Sequence, residues 1–344
     1  MQSGNRRHRW AAIIVLAMLS FGAAGAETEV VSLQELSPLA GRDEIAHRLL
    51  SPLARMEYDQ AIASRHLQVL DQTIRTGEEH YDLFVPDLPA GSSYGVIVFI
   101  PPWEDFKVPA DWRGILAREH LILISARLSG NNQNMLGRRV PLALHGYGYA
   151  SKHYRIDPAR VYAAGFSGGA RTAQLVAFAY PDIFRGVLLF AGSDPFGEGA
   201  VAPPPRELMT LVQARLRIVQ STGMADEVNI AIDSRMRRSL ADLCIRNVAH
   251  VEQPRIGHDI PRGGGFGRAL ALLLKPVEAD GVDDRCNAQL KAKIDSELAE
   301  AGRLAEAGEV ERARKQLLRT DAHYGWLAAP ASVELMKKLA TQEP

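Results

Sequence analysis

Residues 161–180 read VYAAGFSGGARTAQLVAFAY, and how this stretch folds decides the architecture of the whole chain. Val161 to Ala164 is a short apolar run that suits a buried strand, and Ala170 to Tyr180 has the apolar spacing of a helix. Between them stands Gly165-Phe166-Ser167-Gly168-Gly169, a G-x-S-x-G pattern in a strand–turn–helix setting. In that setting a sharp turn lifts a serine hydroxyl above the C-terminal edge of a parallel sheet. The flanking glycines let neighbouring backbone approach where a Cβ would clash. Ser167 is therefore a candidate nucleophile; the plain alternative is a glycine-rich turn carrying an ordinary serine.

Outward from this point the chain alternates between strand and helix. Upstream, Tyr94 to Ile100 and Leu121 to Ser125 are apolar runs suited to strands buried on both faces, with helices at Trp112 to Glu119 and Pro141 to Tyr154. Earlier still, His66 to Ile74 and Glu79 to Val85 show strand-type alternation around a Thr76-Gly77 turn. Downstream come strands at Gly186 to Phe190, Leu216 to Gln220 and Val248 to Gln253, with a helix from Ile230 to Cys244. Such alternation predicts an α/β fold, a mostly parallel sheet with helices on both faces.

A serine hydroxyl is a weak nucleophile and needs a base, which needs an orienting acid. On this kind of sheet the expected chain order is serine, acid, histidine. His258, in Ile256-Gly257-His258-Asp259, follows the last strand and is the candidate base. Asp226 follows the strand before it and is the favoured acid, with Asp194 and Glu227 as rivals; capping of the next helix is the other use of Asp226. An oxyanion hole needs two backbone N–H groups, one from Gly168 and one from the loop after Tyr94 to Ile100. Pro101 and Pro102 have no N–H to give, so Trp103 is the first donor available there, unless it only lines the pocket. Asn131 and Asn132 are further pocket or loop-capping candidates. Gly263-Gly264-Gly265-Phe266-Gly267 lacks the Lys-Ser/Thr of a phosphate loop and is expected to be a loop. The histidines show no metal-ligand spacing, so no metal or cofactor is expected.

Three segments carry a resemblance: residues 157–192 (DPARVYAAGFSGGARTAQLVAFAYPDIFRGVLLFAG), YDLFVP at 81–86, and TGMAD (222–226) with IGHDIP (256–261). Over about residues 78–275 the chain resembles the α/β-hydrolase esterases related to poly(3-hydroxybutyrate) depolymerases and feruloyl esterases. The resemblance implies Ser167 as nucleophile, Asp226 as acid and His258 as base. Relatives commonly carry a His-Gly pair where this chain has Pro101-Pro102. Read this way, the chain is a serine esterase acting on a small or polymeric ester. The alternatives are a peptidase on the same fold, or an inactive hydrolase-fold protein that binds a partner through its C-terminal helices.

The composition bounds these readings. The 344 residues carry 40 Lys and Arg against 40 Asp and Glu, so there is no basic excess to favour nucleic acid. Arg6, Arg7 and Arg9, the apolar run from Trp10 to Phe21 and Ala24-Gly25-Ala26 together read as an export signal with its cleavage site. The apolar run is too short for a membrane span of about 20 residues. Removing residues 1–26 discards three arginines and no acid, leaving 37 basic against 40 acidic residues and a net charge of −3. In an oxidising compartment, periplasmic or secreted, the two cysteines, Cys244 and Cys286, are expected to pair. The expected organisation is a signal at 1–26, a helical lead-in at 27–64, the α/β-hydrolase domain at 65–278 and a helical hairpin at 279–344. That hairpin, with helices at Asn287 to Ala307 and Glu309 to Thr320 and a third near Ser332 to Ala340, is expected to brace the core or to dock a partner. N-terminal sequencing of the exported protein should give Glu27 as the first residue; retention of Met1 would contradict the signal.

Overall fold

The structure, a computed structural model, describes residues 28–64, 74–89, 91–198, 201–277 and 282–341. The proposed signal and the strand expected at His66 to Ile74, apart from Ile74 itself, lie outside the described residues. Eight strands form one sheet: β1 (Thr28–Ser32), β2 (His80–Phe84), β3 (Tyr94–Ile100), β4 (Leu121–Ala126), β5 (Ile156–Phe166), β6 (Gly186–Phe190), β7 (Arg217–Gly223) and β8 (Val248–Gln253). Their order is β1-β2-β4-β3-β5-β6-β7-β8. β2 runs antiparallel to β1 and β4, and the strands from β4 through β8 are mutually parallel. This is the α/β-hydrolase fold. All parallel strands therefore end on the same edge, and the loops leaving that edge converge.

The helices in chain order are α1 (Arg42–Leu49), α2 (Pro52–Ala63), α3 (Ala110–Arg118), α4 (Val140–His153), α5 (Gly168–Ala179), α6 (Arg206–Arg215), α7 (Glu227–Asp242), α8 (Gly263–Leu273), α9 (Asp284–Glu306), α10 (Val310–Tyr324) and α11 (Ala331–Ala340). α4, α5, α6 and α7 contribute buried apolar side chains to one face of the sheet. α3 and α8 cover the other, where Trp112 stacks on Phe266 with ring centres 4.0 Å apart. The Trp112 indole N–H donates to Pro261 O at 2.9 Å, so its one polar atom is satisfied in the core. Both faces of β3 and β4 are covered, which is why these strands read as unbroken apolar runs.

Two expectations need correction. Residues 28–32 are an edge strand and not part of a helical lead-in. The β-branched Thr28, Val30 and Val31 suit extended backbone, and the edge position leaves the apolar side chain of Val30 exposed, which hid the alternation. Gly263 to Gly267 open helix α8 rather than forming a loop. The glycines disfavour a helix locally, but Phe266, Ala269, Leu270 and Leu273 bury one stripe on the sheet. Glycine is needed there because a Cβ on Gly263 would lie 2.5 Å from Asp111 O. Helix α6 was not anticipated from the sequence.

The lead-in helix and the C-terminal helices share a core. Leu53 of α2 is buried with Ala301, Ala313, Leu317, Met336 and Leu339. Ser51 caps α2 through Ala54 N–H, and its hydroxyl donates to the buried Asp321 of α10. Leu290 and Ile294 join α9 to the main core. A Cys244–Cys286 disulfide ties the start of α9 to the residues after α7. The hairpin thus braces the hydrolase core. No helix among the described residues is long and apolar enough to cross a membrane.

Candidate active site

Ser167 sits between β5 and α5 with φ +54° and ψ −122°, in a backbone region that a side chain rarely occupies. Its neighbours make the turn possible. A Cβ on Gly165 would lie 2.4 Å from Gly169 O, and one on Gly169 would lie 2.0 Å from Ile100 O. The Ser167 N–H donates to Phe190 O at 2.8 Å, locking the turn to the end of β6.

His258 arrives on the loop after β8, and its Nε2 lies 2.9 Å from Ser167 Oγ. Its Nδ1 lies 2.6 Å from Oδ2 of Asp226, which caps α7. The hydrogen bond to the carboxylate fixes the proton on Nδ1 and leaves Nε2 as an acceptor facing the serine. Asn229 Nδ2 donates to both Asp226 oxygens, at 3.0 and 2.9 Å. Asn229 Nδ2 is also 3.2 Å from His258 Nδ1, but both atoms carry hydrogen in this tautomer, so that approach is packing. Burial pushes the Asp226 carboxyl up. Hydrogen bonds from His258 and Asn229 outweigh it and hold the group below the usual carboxylate range.

The rival acids go elsewhere. Asp194 pairs with Arg171 Nε at 3.1 Å, and its carboxyl is raised by burial against the pull of Arg171. Glu227 is exposed in the first turn of α7. Neither is hydrogen-bonded to His258.

Of the expected oxyanion donors, Gly168 follows the serine directly and Trp103 reaches the site through its ring on Phe166. Gly168 is the first residue of α5, so its N–H has no intrahelical acceptor. Trp103 N–H has no acceptor among the described residues. The Trp103 ring stacks on Phe166 at 5.4 Å, and Phe166 packs 4.9 Å from the His258 ring. Asn131 N–H donates to Pro102 O at 2.9 Å. The Asn131 side chain occupies the space beside Gly168, where a Cβ would lie 2.3 Å from Oδ1. Asn132 is exposed on the same loop.

Sequence reasoning missed two residues. Asn229, three residues after the capping Asp226, could have been found from that spacing. Arg139 left no local signal. It is buried at the end of a wide π-helical turn, Met135–Arg139. From there Nε donates to Ser129 O at 2.8 Å, Nη2 to Pro101 O at 3.0 Å and Nη1 to Gly168 O at 3.3 Å. One guanidinium thus ties the Pro101 loop to the elbow. Burial lowers its pKa to about 10, with Glu104 opposing. Among the described residues no group of three or more His, Cys, Asp or Glu side chains is placed to hold a metal ion.

A serine on a strained turn, a histidine on the loop after the last strand and a buried carboxylate thus stand in hydrogen-bonding series at the C-terminal edge of an α/β-hydrolase fold. No protein-family model matches the chain, and neither does any curated protein sequence. Solved structures with a similar course of chain include a puromycin-hydrolyzing peptidase of Mycobacterium tuberculosis, 17% identical over 56% of this chain and 36% of that one, with a TM-score of 0.40. A thermostable esterase is 14% identical over 60% of this chain and 61% of its own, with a TM-score of 0.43. S-formylglutathione hydrolase of Staphylococcus aureus is 10% identical over 57% of this chain and 93% of its own, with a TM-score of 0.45. This chain spans less than two-thirds of the peptidase and of the thermostable esterase.

Because the folded Asp226 pKa is lowered, its charge stabilises the native state above the unfolded value of about 3.9. That contribution is lost as pH falls through the folded value. Asp226→Ala should lower stability by about 1–3 kcal/mol near pH 7 through the lost cap and hydrogen bonds. Urea midpoints of the variant and wild type should then converge as pH falls below the usual carboxylate range. An equal gap at both pH values would contradict the assignment.

Proposed function

We propose that the chain is an exported serine hydrolase that cleaves carboxylic esters. The observation that carries this reading is the unbroken series Asp226–His258–Ser167, with contacts of 2.6 and 2.9 Å, at the C-terminal edge of the sheet. In this mechanism Ser167 Oγ attacks the ester carbonyl as its proton passes to His258 Nε2. Asp226 holds the imidazole in the accepting tautomer and stabilises the imidazolium. Gly168 and Trp103 N–H donate to the oxyanion that forms. The imidazolium gives its proton to the departing alkoxide, leaving an acyl-serine. Water, deprotonated by the same nitrogen, attacks that carbonyl; the bond to Ser167 Oγ breaks, the serine takes the proton back from His258 and the acid leaves.

Arg139 serves this chemistry as a positioning residue. With no N–H at Pro101 or Pro102, the donor at Trp103 depends on where the loop carbonyls are held, and Arg139 holds the Pro101 carbonyl. The choice of ester over amide rests on the resemblance to poly(3-hydroxybutyrate) depolymerase and feruloyl esterase relatives in three segments. Export rests on the Arg6-Arg7-Arg9 and Ala24-Gly25-Ala26 pattern, and an oxidising destination fits the disulfide.

Wild type should turn over a short-chain p-nitrophenyl ester and leave the matching p-nitroanilide untouched. Ser167→Ala should lose roughly 10⁴-fold or more in kcat. Anilide cleavage at a rate similar to the ester would make the chain a peptidase. Equal ester turnover by wild type and Ser167→Ala would remove the enzyme reading.

A further inference from the structure

The opposite edge of the sheet, where the parallel strands begin, carries a second built feature. Arg160 lies in β5 just before the stretch that pairs with β6, Arg185 immediately precedes β6 and Arg217 opens β7; Arg185 N–H donates to Val161 O at 2.7 Å and Arg217 N–H to Arg185 O at 3.0 Å. Together with Arg215 at the end of α6 and Lys275 after α8, they line a cavity of about 430 Å³. Among the described residues Glu119 is the single carboxylate in its wall. In a chain with equal numbers of basic and acidic residues, this is a local concentration of positive charge.

The guanidinium groups are held in place but not neutralised. Arg160 donates to the backbone Glu119 O and hydrogen-bonds the Tyr162 side chain, Arg185 donates to Pro181 O and Asp182 O, Arg215 to Pro181 O and Arg217 to Pro276 O, all of them uncharged partners. Among the described residues none of the four makes an ion pair with a carboxylate. The nearby Asp182 carboxylate is taken by Arg48, at 2.7 and 3.1 Å. Among the described residues Nε of Arg215 and Nε of Arg217 are buried without an acceptor. A guanidinium has five N–H donors, so most of the donor capacity here is unspent. Burial, and then the proximity of Arg215, lower the pKa of Arg185. That is the pattern of cations awaiting a counter-charge.

We propose that this cavity is a binding site for a phosphate-bearing anion, distinct from the Ser167 site. Arginine forks match the geometry of phosphate oxygens and bind them with two hydrogen bonds at a time. The cavity volume falls within the range of small-ligand sites. From Arg160 to Ser167 the chain runs seven residues along β5 and into the turn, roughly 23 Å at strand spacing, so an anion here does not compete with substrate. The phosphate comes either from a soluble molecule or from the headgroup of an anionic lipid.

Titration calorimetry with inorganic pyrophosphate, and co-sedimentation with phosphatidylcholine vesicles with and without phosphatidylglycerol, test the site on the intact protein. Wild type should bind pyrophosphate saturably, or bind only vesicles that contain phosphatidylglycerol; the first identifies a soluble source and the second a lipid one. The double variant Arg160→Gln/Arg217→Gln should weaken that binding by about tenfold or more, while ester turnover and the ligand-free Tm stay at wild-type values. Lys275→Gln, on an exposed side chain, asks the same question without a risk to folding and should bind more weakly with a shallower salt dependence. No saturable binding of either probe by wild type, or unchanged binding by the variants, would overturn the proposal.

Discussion

The serine edge of the sheet depends on one close approach of backbones. Ser167 takes positive φ, and Gly165, Gly169 and Gly192 pack around it at distances that no Cβ could share. A Cβ on Gly192 would lie 2.2 Å from Ser167 O. Such a conformation costs on the order of 1–3 kcal/mol and persists only where the surroundings hold it. Here β5, β6 and α5 supply the hold, through the Ser167–Phe190 hydrogen bond and the buried faces of all three elements. The result is a hydroxyl fixed above the sheet, beside a Gly168 N–H that no helical carbonyl takes up.

The remaining parts of the site are placed by the same edge. The acid at the start of α7 and the histidine after β8 reach the serine because β7 and β8 end beside β5 and β6. A Cβ on Gly223, at the end of β7, would lie 2.2 Å from Gly257 O, so the acid and histidine loops are pressed together. Asn229 then fixes the carboxylate from behind. On the other side, the Pro101-Pro102 loop is held from outside by Arg139 and Asn131. A chain that spends two positions on proline loses donors there, but it gains a stiff loop whose carbonyls become the acceptors.

Much of this was legible because it is local. Tyr94–Ile100, Gly186–Phe190 and Val248–Gln253 have the same bounds as the strands expected from apolar runs. Ser167, Asp226 and His258 follow from motif and chain order, and the structure brings the three together. What escaped was non-local. Arg139 contacts residues 29 and 38 positions away. β1 is a strand because β2 lies beside it. The glycine-rich start of α8 is helical because Phe266, Ala269, Leu270 and Leu273 bury one stripe on the sheet, and α2 looked like a separate lead-in because its partners lie some 250 residues later.

The central claim is that the turn at residue 167 makes that one hydroxyl a nucleophile. Reaction with a fluorophosphonate, followed by peptide mapping of the adduct by mass spectrometry, tests it most directly. The account predicts one adduct per chain, on Ser167, formed far more slowly when His258 is replaced by alanine. Labelling spread over other serines, or none at Ser167 in the folded protein, would contradict it.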